Sequence, residues 1–204
     1  MSIRTSSPRP AKEVRDALRR DEIVVAARHC MVRHGFHAAS MAEIALQARM
    51  SVGQIYRYFP SKESLIHTIV ERIVERRLAW IEDESSPADF PRRLATRALD
   101  LGASDADDRA LMLDATAEAT RNPEIAEIVR KADRQLHARV VAAVRRDHPG
   151  LSMKEATARV ELVAVLSEGT AFRLVTDRVA DVKILTGLYR ELLERLLPPS
   201  TAKG

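Results

Sequence analysis

The segment SMAEIALQARMSVGQIYRYFPSK, residues 40–62, decides how this chain is read. Ser40 is followed three residues on by Glu43, and Ser51 by Gln54. Each pair has the spacing of a capping box, in which a serine hydroxyl and the third residue's side chain satisfy each other's free backbone N–H groups. Two short helices joined by a tight turn follow. Such a pair forms a helix-turn-helix, whose second helix fits the major groove of DNA.

Working outward, residues 1–12 are Ser, Pro and basic residues without periodicity and are expected to be a flexible basic arm. The first helix is expected from Glu13 to His34, with Ile23, Ala27, Cys30 and His34 on one face. Gly35 is free to take positive φ and stops it. Pro60-Ser61 breaks the chain. A long helix then runs from Lys62 through Leu65, Ile69, Ile73 and Trp80 to about Asp83, before a Ser85-Ser86-Pro87 linker. Further helices are expected over 88–101, 106–120, 123–147 (capped by Asn122, with Pro123 at its first position), 152–176 (opened by a Ser152/Glu155 box) and 181–197. No segment alternates with the period of a strand. The class is all-α with about nine helices, divided as an N-terminal three-helix unit over 13–66, a helical domain over 67–197 and a tail over 198–204.

Charge sharpens the division. Eleven basic and six acidic residues fall within 1–67, whereas the rest holds 22 basic and 23 acidic residues, so the whole excess of the +4 chain lies at one end. A polyanion is the simplest partner for it. A single cysteine, Cys30, excludes an intramolecular disulfide. No apolar run approaches the roughly 20 residues of a membrane span. Arg4, Arg9 and Lys12 have no apolar core behind them, so a signal peptide is not expected and a cytoplasmic protein is.

An enzyme is the rival class. His29, His34 and His37 cluster around Cys30, but His29 and His34 differ by five and share no helix face, and His37 lies past Gly35. No glycine-rich phosphate loop follows a strand, and no Ser-His-Asp set stands out. No catalytic residue, metal or cofactor is expected.

Within the quoted segment, Ile44, Ala45, Ala48, Ile55 and Phe59 are expected to form core. Gly53 has two readings: a missing Cβ that lets the helix approach DNA, or an incidental glycine. Gln54 also has two: bonding back to Ser51, or bonding adenine. Ser51 can cap the helix and meet a phosphate. Tyr56, Arg57 and Tyr58 put two hydroxyls and a guanidinium on one short helix, which suits phosphates and bases better than a core. Lys62 at a helix start opposes the dipole, an objection a phosphate removes.

These residues resemble the DNA-binding domain of the tetracycline-repressor (TetR) family of bacterial regulators. The likeness rests on Gly35-Phe36, Ser40, Ile44-Ala45, Ala48-Arg49-Met50-Ser51, Gly53, Tyr56, Phe59 and Lys62, within Ile23–Leu65. It implies that Ser40, Ser51, Tyr56, Tyr58 and Lys62 meet backbone phosphates, and that Val52, Gly53, Gln54 and Arg57 lie at or near base edges. Arg49 departs from the family's turn glycine. In a left-handed backbone it costs roughly 1–2 kcal/mol, so either the turn differs or Arg49 adds a phosphate contact.

The resemblance further implies a homodimer pairing the last two helices, through stripes Val163, Leu166, Thr170, Leu174 and Leu185, Leu188, Leu192, Leu196. It implies a small-molecule effector pocket in the helical domain, with Trp80, Met112, Thr116, Glu118, Phe172 and Arg173 as candidates. The expected activity is that of a repressor that binds a palindromic double-stranded operator and is released by its ligand, with no membrane role. A sequence-tolerant architectural DNA-binding protein is the alternative, and a helical metal-dependent enzyme a more distant one.

Overall fold

The computed structural model describes residues 11–82, 86–99, 105–173, 176–177 and 179–197, without the side chains of residues 11, 80, 82 and 86–89. The arm and the tail thus fall largely or wholly outside the described residues. Nine helices are present among them: α1 Ala11–Ala38, α2 Met41–Ala48, α3 Val52–Tyr58, α4 Lys62–Glu82, α5 Ser86–Leu99, α6 Ala106–Ala119, α7 Pro123–Asp147, α8 Met153–Phe172 and α9 Val182–Leu196. The described residues contain no strand, and the protein is all-α. No helix among them is long and apolar enough to cross a membrane.

Two compact units divide between Ile69 and Val70. In the first, α1 packs on α2 and α2 on α3. Its core holds Ile23, Val24, Ala27, Cys30, Met31, Phe36, Ile44, Ala45, Ile55, Phe59, Leu65, Ile66 and Ile69, all buried. Gly35 (φ 78°, ψ 164°) interrupts α1 in a conformation that side-chain-bearing residues rarely adopt. That break returns the chain, so Phe36 is buried while His34, expected on the inner stripe, stays exposed. Ala48 is only half-buried. Cys30 is buried, and its burial raises the thiol pKa, with Glu43 adding to the effect. His29, His34 and His37 are exposed.

In the second unit, α5 packs on α8 and α9, α6 on α7 and α8, and α7 on α8. The caps follow the sequence. Asn122 Oδ1 accepts from Glu124 N (3.0 Å) and Ile125 N (3.3 Å), Asp181 Oδ1 from Lys183 N (2.8 Å) and Ile184 N (3.0 Å), and the Ser152/Glu155 box is complete. Two boundaries differ from expectation. Ser86 and Pro87 belong to α5, because a proline in the first turn removes only an N–H that has no helical partner. Helix α8 ends at Phe172, not Thr176.

Candidate nucleic-acid interface and effector cavity

The turn between α2 and α3 is built from its caps. Ser40 Oγ accepts from Glu43 N at 3.1 Å, and Glu43 Oε2 accepts from Ser40 N at 3.0 Å. The latter bond leads the downward shift of the Glu43 pKa. Ser51 Oγ accepts from Gln54 N at 3.2 Å, and Gln54 Oε1 from Ser51 N at 2.8 Å. Both open readings of Gln54 therefore remain chemically compatible: the box occupies Oε1, while the amide's N–H donors are a separate group.

Arg49 links the helices in the left-handed region, at φ 55° and ψ 43°. Its N–H donates to Leu46 O at 3.1 Å, and Met50 N donates to Ala45 O at 2.9 Å, a closure that needs left-handed backbone at residue 49. The turn is thus left-handed although residue 49 is not glycine. Arg49→Gly should relieve the strain, offset in part by the greater freedom of an unfolded glycine. A net gain of about 0.5–1 kcal/mol is expected in urea melts. A loss of stability would show that the arginine side chain holds the turn.

Helix α3 divides its faces cleanly. Ile55 and Phe59 are buried. Arg20 of α1 lies 4.6 Å above the Phe59 ring centroid and donates to Tyr58 O at 2.9 Å. Val52, Gly53, Gln54, Tyr56 and Arg57 are exposed, with Ser40, Arg49 and Ser51 beside them in sequence and exposed as well. A Cβ built on Gly53 meets nothing within 4 Å, and its φ is not positive, so neither the protein's packing nor its backbone requires glycine there. Two proposed phosphate ligands are partly engaged within the unit. Tyr58 is half-buried and donates its hydroxyl to Asp16 Oδ1 at 3.2 Å, and Lys62 Nζ donates to His37 O at 3.0 Å. Those bonds fasten α3 and the start of α4 to α1.

The second unit holds a half-open cavity of about 490 Å³ between α4, α5, α7, α8 and α9. Its apolar lining includes Phe90, Leu136, Val140, Val144, Val160 and Val163. Its polar lining includes Arg77, Arg93, Arg97, Asp105, Ser167 and Glu168. Among the described side chains, none of those expected from the sequence lines it. Met112, Thr116 and Glu118 lie on α6, whose helical residues do not reach the cavity, and Phe172 and Arg173 at the end of α8 are exposed. The side chain of Trp80 lies outside the described residues. Periodicity shows that a helix has an inner face, but not which inner faces stop short of contact; packing does that.

The apolar surface of α8 is also rotated from expectation. Val163 lines the cavity, Leu166 is half-buried and Thr170 is buried with its hydroxyl on Ser167 O. Leu174 lies outside the described residues. The large apolar side chains exposed on this helix are Met153, Leu162, Val165 and Phe172. Leu162, Val165 and Phe172 share one face by helical spacing. On α9, Ile184, Leu188 and Leu192 are exposed along one stripe, whereas Leu185 and Leu196 are half-buried.

Capped helices, a left-handed turn and an exposed short helix define a helix-turn-helix regulator. Comparison with known proteins agrees. Residues 23–69 match the family described as bacterial regulatory proteins, tetR family, and residues 87–198 match the C-terminal domain of BetI-type transcriptional repressors. The chain belongs to the TetR family of DNA-binding transcription regulators, and that class is not enzymatic. The transcriptional regulator UidR of Escherichia coli K12 is 33% identical over 111 residues, which is 54% of this chain and 57% of UidR. The chain therefore spans little more than half the length of the curated relative it matches. The structure of Salmonella enterica GusR superposes with a TM-score of 0.71 and 26% identity, covering 88% of this chain and 95% of GusR. FadR of Bacillus subtilis, in complex with stearoyl-CoA, shares the fold at a TM-score of 0.61 and 20% identity over 87% of this chain and 97% of that one.

Proposed function

We propose that this protein is a ligand-released repressor that binds a palindromic operator as a homodimer in the cytoplasm. The observation that carries the DNA half is α3, whose one face is fixed to the core while Gly53, Gln54, Tyr56 and Arg57 remain open to solvent. Phosphate contacts fall to Ser40, Arg49, Ser51 and Tyr56. Tyr58 and Lys62 add to them from the positions that their bonds to Asp16 and His37 O hold. Val52, Gly53, Gln54 and Arg57 face base edges.

One helix-turn-helix contacts few bases, and two half-sites one helical turn apart multiply affinity. The stripes Leu162, Val165, Phe172 on α8 and Ile184, Leu188, Leu192 on α9 give the second copy an apolar surface. The likeness of the C-terminal part to BetI-type repressors favours repression. The cavity supplies an effector site, and a protein of the same fold is in complex with stearoyl-CoA. Helix α4 begins in the DNA-reading unit and ends as a wall of the cavity, so it is the element through which a ligand would shift the protein from a DNA-binding to a released state.

The test uses duplexes selected by the protein from a random pool. Wild type should bind the selected palindrome at least about a thousandfold more tightly than random DNA at equal salt. Leu188→Glu should leave the melting curve in place, yield a monomer by sedimentation and lose the palindrome. A monomeric wild type, or a specificity ratio near one, would reject the reading in favour of an architectural binder.

A further inference from the structure

Charged groups of α4, α5 and the start of α6 cluster at one side of the cavity. Arg93 Nη2 and Arg97 Nε lie 3.5 and 3.2 Å from Asp105 Oδ2, and Arg109 Nε lies 3.5 Å from Asp105 Oδ1. Asp105 is the N-cap of α6 but makes no side-chain capping bond, so its carboxylate serves the arginines instead. Arg77 approaches from α4, close enough to interact with Asp105, Glu168 and Arg93.

Arg97 is the informative member. It is only 6% exposed and lines the cavity. Its Nη1 donates to Ser167 Oγ at 3.1 Å, but its Nε has no hydrogen-bond acceptor, because Asp105 Oδ2 lies within ion-pair range yet off the N–H direction. Burial brings its pKa down to about 10, against the pull of Asp105, and Arg77, Arg109 and Arg93 push the same way. Burial and then Asp133 raise the carboxyl pKa of Glu168, while Arg77 pulls it down. Arg77, Arg93, Arg97 and Arg109 thus gather around Asp105, with Glu168 and Asp108 also acting on Arg77.

A buried cation with an unused donor is costly unless an acceptor arrives. A carboxylate fits the planar guanidinium fork, and the bond gains strength away from water. On the α7–α8 side Leu136, Val140, Val144 and Val160 give a surface that suits an apolar body, with Asp133, Arg146, Arg190 and Glu194 also in the lining. We infer that the effector is an amphipathic organic anion whose carboxylate docks on Arg97 and Arg77 and whose apolar part fills the α7–α8 side of the cavity. This deepens, and rests on, the reading of the cavity as the effector site.

The experiment titrates the full-length protein with octanoate, decanoate and phenylbutanoate, and with the primary amide of each, following heat and melting temperature. Each carboxylate should bind at least about tenfold more tightly than its amide, roughly 1.4 kcal/mol. Arg97→Met should remove that difference. Arg77→Gln, at a half-buried position, should reduce it and keeps the test valid if the first variant misfolds. Equal binding of acid and amide, or a preference for the acid that survives both substitutions, overturns the inference. A neutral or cationic compound that fills the cavity and releases DNA, where no carboxylate binds, also overturns it and leaves the regulator reading standing. If DNA affinity responds to no compound that occupies the cavity, the effector-site reading itself fails.

Discussion

Gly53→Leu is expected to lower affinity for the selected operator duplex by about a hundredfold or more, while the protein melts no earlier than wild type. The two halves of this result have different physical origins. Within the protein a Cβ at residue 53 meets open space, and the backbone is not in the left-handed region, so no clash or strain follows. Glycine in a helix costs about 1 kcal/mol against better helix formers, so leucine should leave stability unchanged or slightly raised. At the DNA, the first turn of α3 must come close enough for the Ser51 cap and the Gln54 amide to reach phosphate and base edge, and an isobutyl group there holds it away. A hundredfold loss corresponds to about 2.7 kcal/mol. Gly53→Ala should fall between, because one methyl displaces the helix less. Filter binding or fluorescence anisotropy at fixed salt measures the first quantity and a thermal melt the second. Unchanged affinity in the leucine variant would mean that α3 does not dock by its N-terminal turn, and the glycine would then be incidental.

The DNA-reading unit was legible because its signals are local. A serine three residues before Glu or Gln specifies a cap, Gly35 specifies a break, and Ile44, Ala45, Ile55 and Phe59 occupy the inner face that their spacing assigns. Arg49 was harder to read: its side chain left the turn open, and only the hydrogen bonds from Arg49 N and Met50 N show that its backbone is left-handed. Tyr58 was less legible, since its partner Asp16 is 42 residues away. The second unit resisted for a related reason. Helix α8 carries Ala, Val and Leu around much of its circumference, so one stripe can be drawn through 163, 166 and 170 and another through 162, 165 and 172. Only packing decides that the first turns inward. Arg77 on α4, Arg93 and Arg97 on α5 and Asp105 before α6 come together only through packing. The one local hint was Asp105 with Arg109 four residues on, a spacing that places both on one helix face.

That hint leads to the largest expected stability effect. Arg109 is completely buried. Its Nη1 donates to Arg97 O at 2.9 Å and lies 3.5 Å from Thr170 O. Both carbonyls belong to last turns, of α5 and α8 respectively, at the negative end of the helix dipole, and Thr170 O also accepts from the Arg173 N–H. One guanidinium therefore satisfies the ends of two helices that pack together, while Asp105, on the turn before α6, balances its charge. Arg109→Ala removes the donor and the packed stem at once, while Asp105 keeps Arg93 and Arg97. Leaving buried acceptors unpaired costs about 1–3 kcal/mol each and emptying a large buried site about 2–5 kcal/mol, and for a chain of this size the melting temperature should fall on the order of 10 °C. Arg76→Ala is the informative control. Arg76 grips Asp108 through two nitrogens at 2.7–3.0 Å, shorter contacts than those of Arg109 with Asp105, but its side chain is 49% exposed. Solvent screening should hold its cost under about 1 kcal/mol. If distance governed, Arg76 would matter more; if burial governs, Arg109 will. Equal, small losses in urea melts of the two variants would show that water reaches Arg109, and the clamp between α5 and α8 would have to be abandoned.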